Sequence, residues 1–180
     1  TMVPFQALSM LGYQVDAVCP GKKAGEFIKT AIHDFEGDQT YTEKPGHLFK
    51  LTKTFDEVDF DEFDMVVLPG GMPGTLNLKN HDGVRYVVKQ YAKEGRYVGA
   101  ICAAPTILKS LGVLEGRRAT CYPGVEDEME DVVLTETAVV VDENIITSQG
   151  VGTAIDFGLK LIEILDGEEK AKEIADSIVF

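Results

Sequence analysis

Apolar residues recur along this chain in two rhythms. Within residues 3–11, Phe5, Leu8 and Leu11 stand at helical spacing and Gly12 follows as a stop, so the pattern predicts an opening helix. Residues 13–19 (YQVDAVC) alternate, carry β-branched and aromatic side chains, and close on Pro20-Gly21; this predicts a strand and a turn. Residues 27–35 and 47–55 form two further strand candidates around the polar stretch 36–46, which predicts a small β-hairpin excursion off the main sheet. At Met65 the character changes. MVVL runs without polar alternation into Pro69-Gly70-Gly71, the signature of a strand buried on both faces of a parallel sheet.

The second half repeats that unit. Asp82 is placed to cap a helix whose Val84, Val87, Val88 and Tyr91 share one face and which Glu94-Gly95 ends. Residues 97–101 (YVGAI) form another buried strand leading into Cys102, and a helix is expected over 103–111. A short strand is expected over 119–121, and two more, 139–141 and 145–147, flank the turn Asp142-Glu143-Asn144. Amphipathic helices over 153–165 and 168–178 complete the pattern. Strands alternating with helices imply parallel βαβ units, and so an α/β fold: a three-layer α/β/α open, mostly parallel sheet. In such sheets the ligand crevice lies at the carboxyl ends of the strands, which points to Gly70-Gly71 and Cys102.

Composition narrows the classes. A chain of 180 residues with 44% apolar and 26% charged residues predicts one domain over 1–180 with a real core. The net charge of −13 repels phosphate backbones and anionic lipid, so neither nucleic acid nor a membrane is expected as a partner. No apolar run reaches membrane-spanning length, and the opening residues lack a signal-peptide pattern. Three cysteines, Cys19, Cys102 and Cys121, cannot all pair within one chain, which fits a reducing, cytoplasmic location. Six acidic residues in 56–64 read as a solvated loop or short helix, not a metal site. The three histidines, His33, His47 and His81, form no ligand pattern either, so no metal is expected.

The chemistry concentrates at Cys102. It sits where an apolar strand meets a helix, surrounded by Gly99, Ala100, Ala103 and Ala104. A nucleophile on a sharp strand-to-helix turn needs neighbours without bulk, and the helix behind it favours thiolate over thiol. A buried structural cysteine fits the same spacing. Gly70-Gly71 ends the preceding strand, where glycine lets backbone N–H groups approach a ligand; with the amides after Cys102 this would make a pocket for an oxyanion.

Several stretches in order, TMVPFQAL, VVLPGGMPG, AICAAPTIL, RRATCYPGVEDEM, VVVDENIITSQGVGTA and LIEILDG, resemble the ThiJ/PfpI superfamily. This is a flavodoxin-like, class I glutamine-amidotransferase-like group, and the subgroup most similar is that of the Parkinson-disease protein deglycase. The stretch HDFEGDQTYTEKPGH looks more like PfpI-type and plant members. The resemblance implies that Cys102 is the elbow nucleophile and that the Gly71 and Ala103 amides hold an oxyanion. It places Gly70, Tyr122, Pro123, Ser148 and Gly150 around the pocket, with residues 148–153 forming a loop beside it. It also places Cys121 close to the elbow as a possible resolving thiol.

The chain departs from the family pattern twice. Ala103 follows Cys102 where peptidase-like relatives carry histidine, and Tyr122 stands where some deglycase-like members place one. The family's proton-shuttling glutamate precedes a stretch like Thr1-Met2-Val3-Pro4, so a strand and that glutamate are expected just ahead of Thr1. The function implied is a cofactor-free, cysteine-dependent glyoxalase or deglycase. Its substrates would be methylglyoxal, glyoxal or their thiol and amine adducts (glycated thiols and amines), and the protein is expected to be a homodimer. The alternatives are a redox-sensing stress or chaperone protein using oxidation of the same cysteine, and, disfavoured by Ala103, a PfpI-like cysteine peptidase.

Overall fold

The opening helix is α1 (Met2–Met10), which buries Pro4 and Leu8 and unwinds through Leu11 into Gly12. Gly12 stands at φ 85°, a left-handed geometry that glycine adopts without a Cβ penalty. The computed structural model describes residues 1–34 and 42–180. They fall into two compact units, one of residues 1–15 with 63–180 and one of residues 16–62. The strand expected over 13–19 is not formed. Its alternation has another cause: Tyr13 and Val15 pack against the apolar cluster that includes Leu8, and the Tyr13 amide donates to the Leu8 carbonyl instead of to a neighbouring strand.

In the unit of residues 16–62, β1 (Phe27–Asp34) pairs antiparallel with β2 (Thr42–Lys50), with a register shift between Lys29 and Ala31. The hairpin is as expected, but its second strand starts five residues before the expected start at 47 and ends at Lys50. Most of the turn placed at 36–46 lies outside the described residues. Leu51 is buried and closes the base, its amide donating to the Glu26 carbonyl. Thr52 donates its hydroxyl proton to the Asp16 carboxylate, which also pairs with Lys53. The acidic run forms two single turns of 3₁₀ helix, Phe55–Glu57 and Phe60–Glu62. They bring two aromatic rings together, Phe55 and Phe60, with centroids 5.2 Å apart.

The other unit carries the sheet. Strands β3 (Met65–Leu68) and β4 (Tyr97–Ile101) lie parallel, with Met65 opposite Tyr97. Between them come α2 (Met72–Lys79) and α3 (Asp82–Glu94). After β4 follow α4 (Pro105–Ser110) and a small parallel bridge between β5 (Arg118–Ala119) and β6 (Val133–Leu134). β7 (Val139–Asp142) and β8 (Ile145–Ser148) form an antiparallel pair, and β8 runs parallel to β4. The sheet order is β3-β4-β8-β7. Helices α5 (Ala154–Asp166) and α6 (Glu168–Ser177) close the chain. This is the α/β, flavodoxin-like arrangement expected from the alternation of strands and helices.

Alternate residues of each strand divide between two cores. Met65, Val67, Tyr97, Ile101, Ile146, Val139 and Val141 gather around Phe157, Leu161 and Ile162 of α5. Phe157 is fully buried, a burial that stabilises by roughly 1.5–3 kcal/mol. Gly99 makes the seat for it: a β-carbon there would stand 3.1 Å from Phe157 Cζ. The remaining strand residues, such as the fully buried Val98 and Ala100, meet the opposite layer, in which α3 buries Val84, Val87, Val88 and Tyr91 as expected. The cap of α3 is His81, not Asp82: the ring nitrogen Nδ1 accepts a hydrogen bond from the Val84 amide at 3.4 Å. Asp82 instead occupies the first turn, where a carboxylate complements the helix dipole.

Candidate active site

Strand β4 delivers Cys102 to the carboxyl edge of the sheet. The backbone there turns at φ 67°, a conformation that costs a residue with a β-carbon about 1–2 kcal/mol. Two hydrogen bonds hold it. The Cys102 amide donates to the Ser148 carbonyl at 2.9 Å, extending the β4–β8 ladder by one residue, and the Cys102 carbonyl accepts from the Tyr122 amide at 2.9 Å. The side chain is half-buried and packs at the margin of the apolar cluster under α5.

Gly70 faces this turn so closely that a β-carbon on it would lie 2.5 Å from Cys102 Cβ, 2.7 Å from the Ile101 carbonyl oxygen and 3.2 Å from Cys102 Sγ. No other residue fits. Gly71 follows at φ 98° and caps α2, whose Thr75 amide donates to the Gly71 carbonyl. Among the described residues, the Gly71 and Ala103 amides donate to no backbone carbonyl, whereas the Ala104 amide is taken by Ile101. The helix expected from 103 starts two residues later, at Pro105, and has six residues. Its dipole therefore acts on Cys102 less directly than adjacent helical turns would.

The loop over 148–153 is built from hydroxyls. Ser148 is fully buried; its Oγ bonds the Ala138 carbonyl at 2.9 Å and Thr153 Oγ1 at 2.7 Å. Thr153 Oγ1 in turn reaches the Gly150 amide and carbonyl, each at 3.1 Å. The Ser148 side chain is thus committed to the loop, and its carbonyl is what serves the elbow. Tyr122 is half-buried and Pro123 exposed. Gly124, which the sequence reading passed over, lies against the Tyr122 ring; the Pro-Gly pair after an aromatic was the available signal.

Cys121 is buried. Burial pushes its thiol up to about 11, with Glu126 and Cys102 adding to the effect by charge, so it stays protonated at neutral pH. His81 is engaged in its cap, and His47 is exposed on the hairpin. Among the described residues, no three His, Cys, Asp or Glu side chains converge as a metal site. No helix is long and apolar enough to cross a membrane.

A mostly parallel sheet whose strand β4 ends on a cysteine held left-handed, with a glycine pressed against it, places the chain in the flavodoxin-like α/β class. The chain belongs to the DJ-1/PfpI family, whose description matches residues 1–164. It is 53% identical over 125 residues to protein DJ-1 homolog D of Arabidopsis thaliana, covering 69% of this chain and 32% of that relative. It is 38% identical over 114 residues to the glutathione-independent glyoxalase DJR-1.2 of Caenorhabditis elegans, covering 62% of this chain and 60% of the relative. The chain thus spans about a third of the plant relative's length. Among solved structures, Drosophila melanogaster DJ-1beta superposes with a TM-score of 0.83 at 30% identity, covering 99% of this chain and 89% of that one. Oxidized Toxoplasma gondii DJ-1 superposes at 0.84 with 28% identity, covering 99% and 89%. The matches support a DJ-1-type function.

Proposed function

We propose that the protein is a cysteine-dependent, cofactor-free enzyme of the glyoxalase or deglycase type, acting on small reactive carbonyls such as methylglyoxal, glyoxal or their thiol and amine adducts. The observation that carries this reading is the left-handed Cys102 turn with Gly70 against it and the Gly71 and Ala103 amides left without backbone acceptors. Backbone strain of this kind concentrates at functional sites. The relative named a glutathione-independent glyoxalase lends further support.

The chemistry then follows from the residues. The Cys102 thiolate adds to the aldehyde carbon; a C–S bond forms and the carbonyl electron pair moves to oxygen, where the Gly71 and Ala103 N–H groups hold it. A proton leaves the former aldehyde carbon and another arrives at the neighbouring keto carbon, so the first is oxidised and the second reduced. Water then cleaves the thioester, releasing a 2-hydroxy acid and the thiol. The transfer needs a base, and the family resemblance implies a glutamate in that role. Replacing Cys102 with Ser tests the mechanism: lactate formation from methylglyoxal should be lost.

A second reading, a redox sensor in which Cys102 is oxidised, is favoured by the half-buried thiol and by the similarity to an oxidized relative. Mass spectrometry after mild peroxide separates the two. A stable gain of two oxygens on Cys102, with no carbonyl turnover by the reduced protein, would select the sensor.

A further inference from the structure

We propose that Tyr122 is a positioning residue that braces the Cys102 elbow, and that it acts through its ring. Two segments grip the elbow by its backbone: the Ser148 carbonyl takes the Cys102 amide proton, and the Tyr122 amide donates to the Cys102 carbonyl, both at 2.9 Å. The ring of Tyr122, itself on one of those segments, stands beside the other. A β-carbon on Gly150, two residues beyond Ser148, would meet Cδ2 at 3.5 Å, while one on Gly124 would meet Cε1 at 3.0 Å and Cδ1 at 3.3 Å on the opposite edge. The Gly150 position is itself pinned by Thr153, whose hydroxyl is shared with Ser148. Backbone bonds, hydroxyl relay and ring therefore close a circuit around a residue that has no intrinsic preference for its own φ of 67°.

Local strain persists only where the surroundings over-determine it. The circuit supplies that determination, and the ring is the member that an Ala substitution removes and a Phe substitution keeps. A β-carbon on Gly124 would press on the ring edge and oblige it to shift by a few tenths of an ångström. The Tyr122 effect on turnover rests on Cys102 being the nucleophile. Its effect on the thiol does not, since alkylation of Cys102 can be followed without any substrate.

The test pairs steady-state kinetics on methylglyoxal with site-resolved mass spectrometry of iodoacetamide labelling across pH. Tyr122→Ala should lower kcat on the order of 10²-fold with little change in KM, as misplacement of a reacting group by about an ångström does, and should displace the pH profile of Cys102 alkylation. Tyr122→Phe keeps the ring and should restore both. Gly124→Ala pushes the ring without removing it and should move both in the Ala direction by a smaller factor, which keeps the proposal testable if Tyr122→Ala fails to fold. An unchanged alkylation profile in Tyr122→Ala or Gly124→Ala would overturn the brace, and so would a Phe variant as impaired as the Ala variant. If the wild type turns over no methylglyoxal, the functional reading fails while the alkylation arm still decides the brace.

Discussion

Gly70 and Cys102 are in contact through main chain and β-carbon: a methyl group on Gly70 would come within 2.5 Å of Cys102 Cβ. Real β-carbons do not approach so closely, and the obstructing atoms are the backbone and Cβ of a turn held by two hydrogen bonds. Gly70→Ala should therefore destabilise the fold by about 1–3 kcal/mol, the usual cost of overpacking. It should also suppress alkylation of Cys102 by iodoacetamide more than tenfold. Urea unfolding and labelling rates measure the two effects. A Gly70→Ala variant with wild-type stability would contradict the geometry.

Cys121 gives a pH prediction with a definite sign. Its folded thiol is raised to about 11, above the unfolded value near 9, by burial first and then by Glu126 and Cys102. The protein therefore favours the protonated thiol. That contribution to stability is complete below pH 9 and is lost as pH rises toward 11. Denaturation midpoints should fall across that window, and Cys121→Ala should flatten the slope. At pH 8 only about one Cys121 in a thousand is ionised, so iodoacetamide should leave it unlabelled until the protein unfolds.

Asn144 offers a test of the scaffold apart from the site. Its buried side-chain amide lies 2.7 Å from the Arg96 carbonyl, 3.2 Å from that of Ala92 and 3.4 Å from that of Tyr91, at the C-terminal end of α3. Asn144→Ala removes the donor these carbonyls share and should cost about 1–3 kcal/mol. The thermal midpoint should drop while the rate of Cys102 alkylation in the folded protein stays within twofold.

Much of this was legible in the sequence, for identifiable reasons. The run YVGAI has no polar residue, and it forms β4 over the same five positions. Val84, Val87, Val88 and Tyr91 form the buried face of α3 because their spacing admits no other element. The glycine pair and the cysteine met because parallel strands bring their carboxyl ends to one edge. Three features were hidden. Residues 13–19 alternate like a strand, yet hydrogen bonding to a neighbouring strand is what defines one, and alternation does not reveal a partner. Helix α2 was not among the expected elements; it carries Pro73 and Gly74, and proline is tolerated in a first turn. His81 as a cap defied the usual choice of Ser, Thr, Asp or Asn. The Tyr122 ring stands beside Gly150, 28 residues further on, a proximity that only the folded chain creates.

The most direct test of the central claim is the fate of methylglyoxal in the presence of wild-type protein and Cys102→Ser, followed by NMR with no glutathione or metal added. The account predicts lactate from the wild type and a rate lowered at least about a thousandfold in the variant, the scale expected when a covalent nucleophile is removed. Lactate formed by Cys102→Ser at a rate near that of the wild type would contradict it.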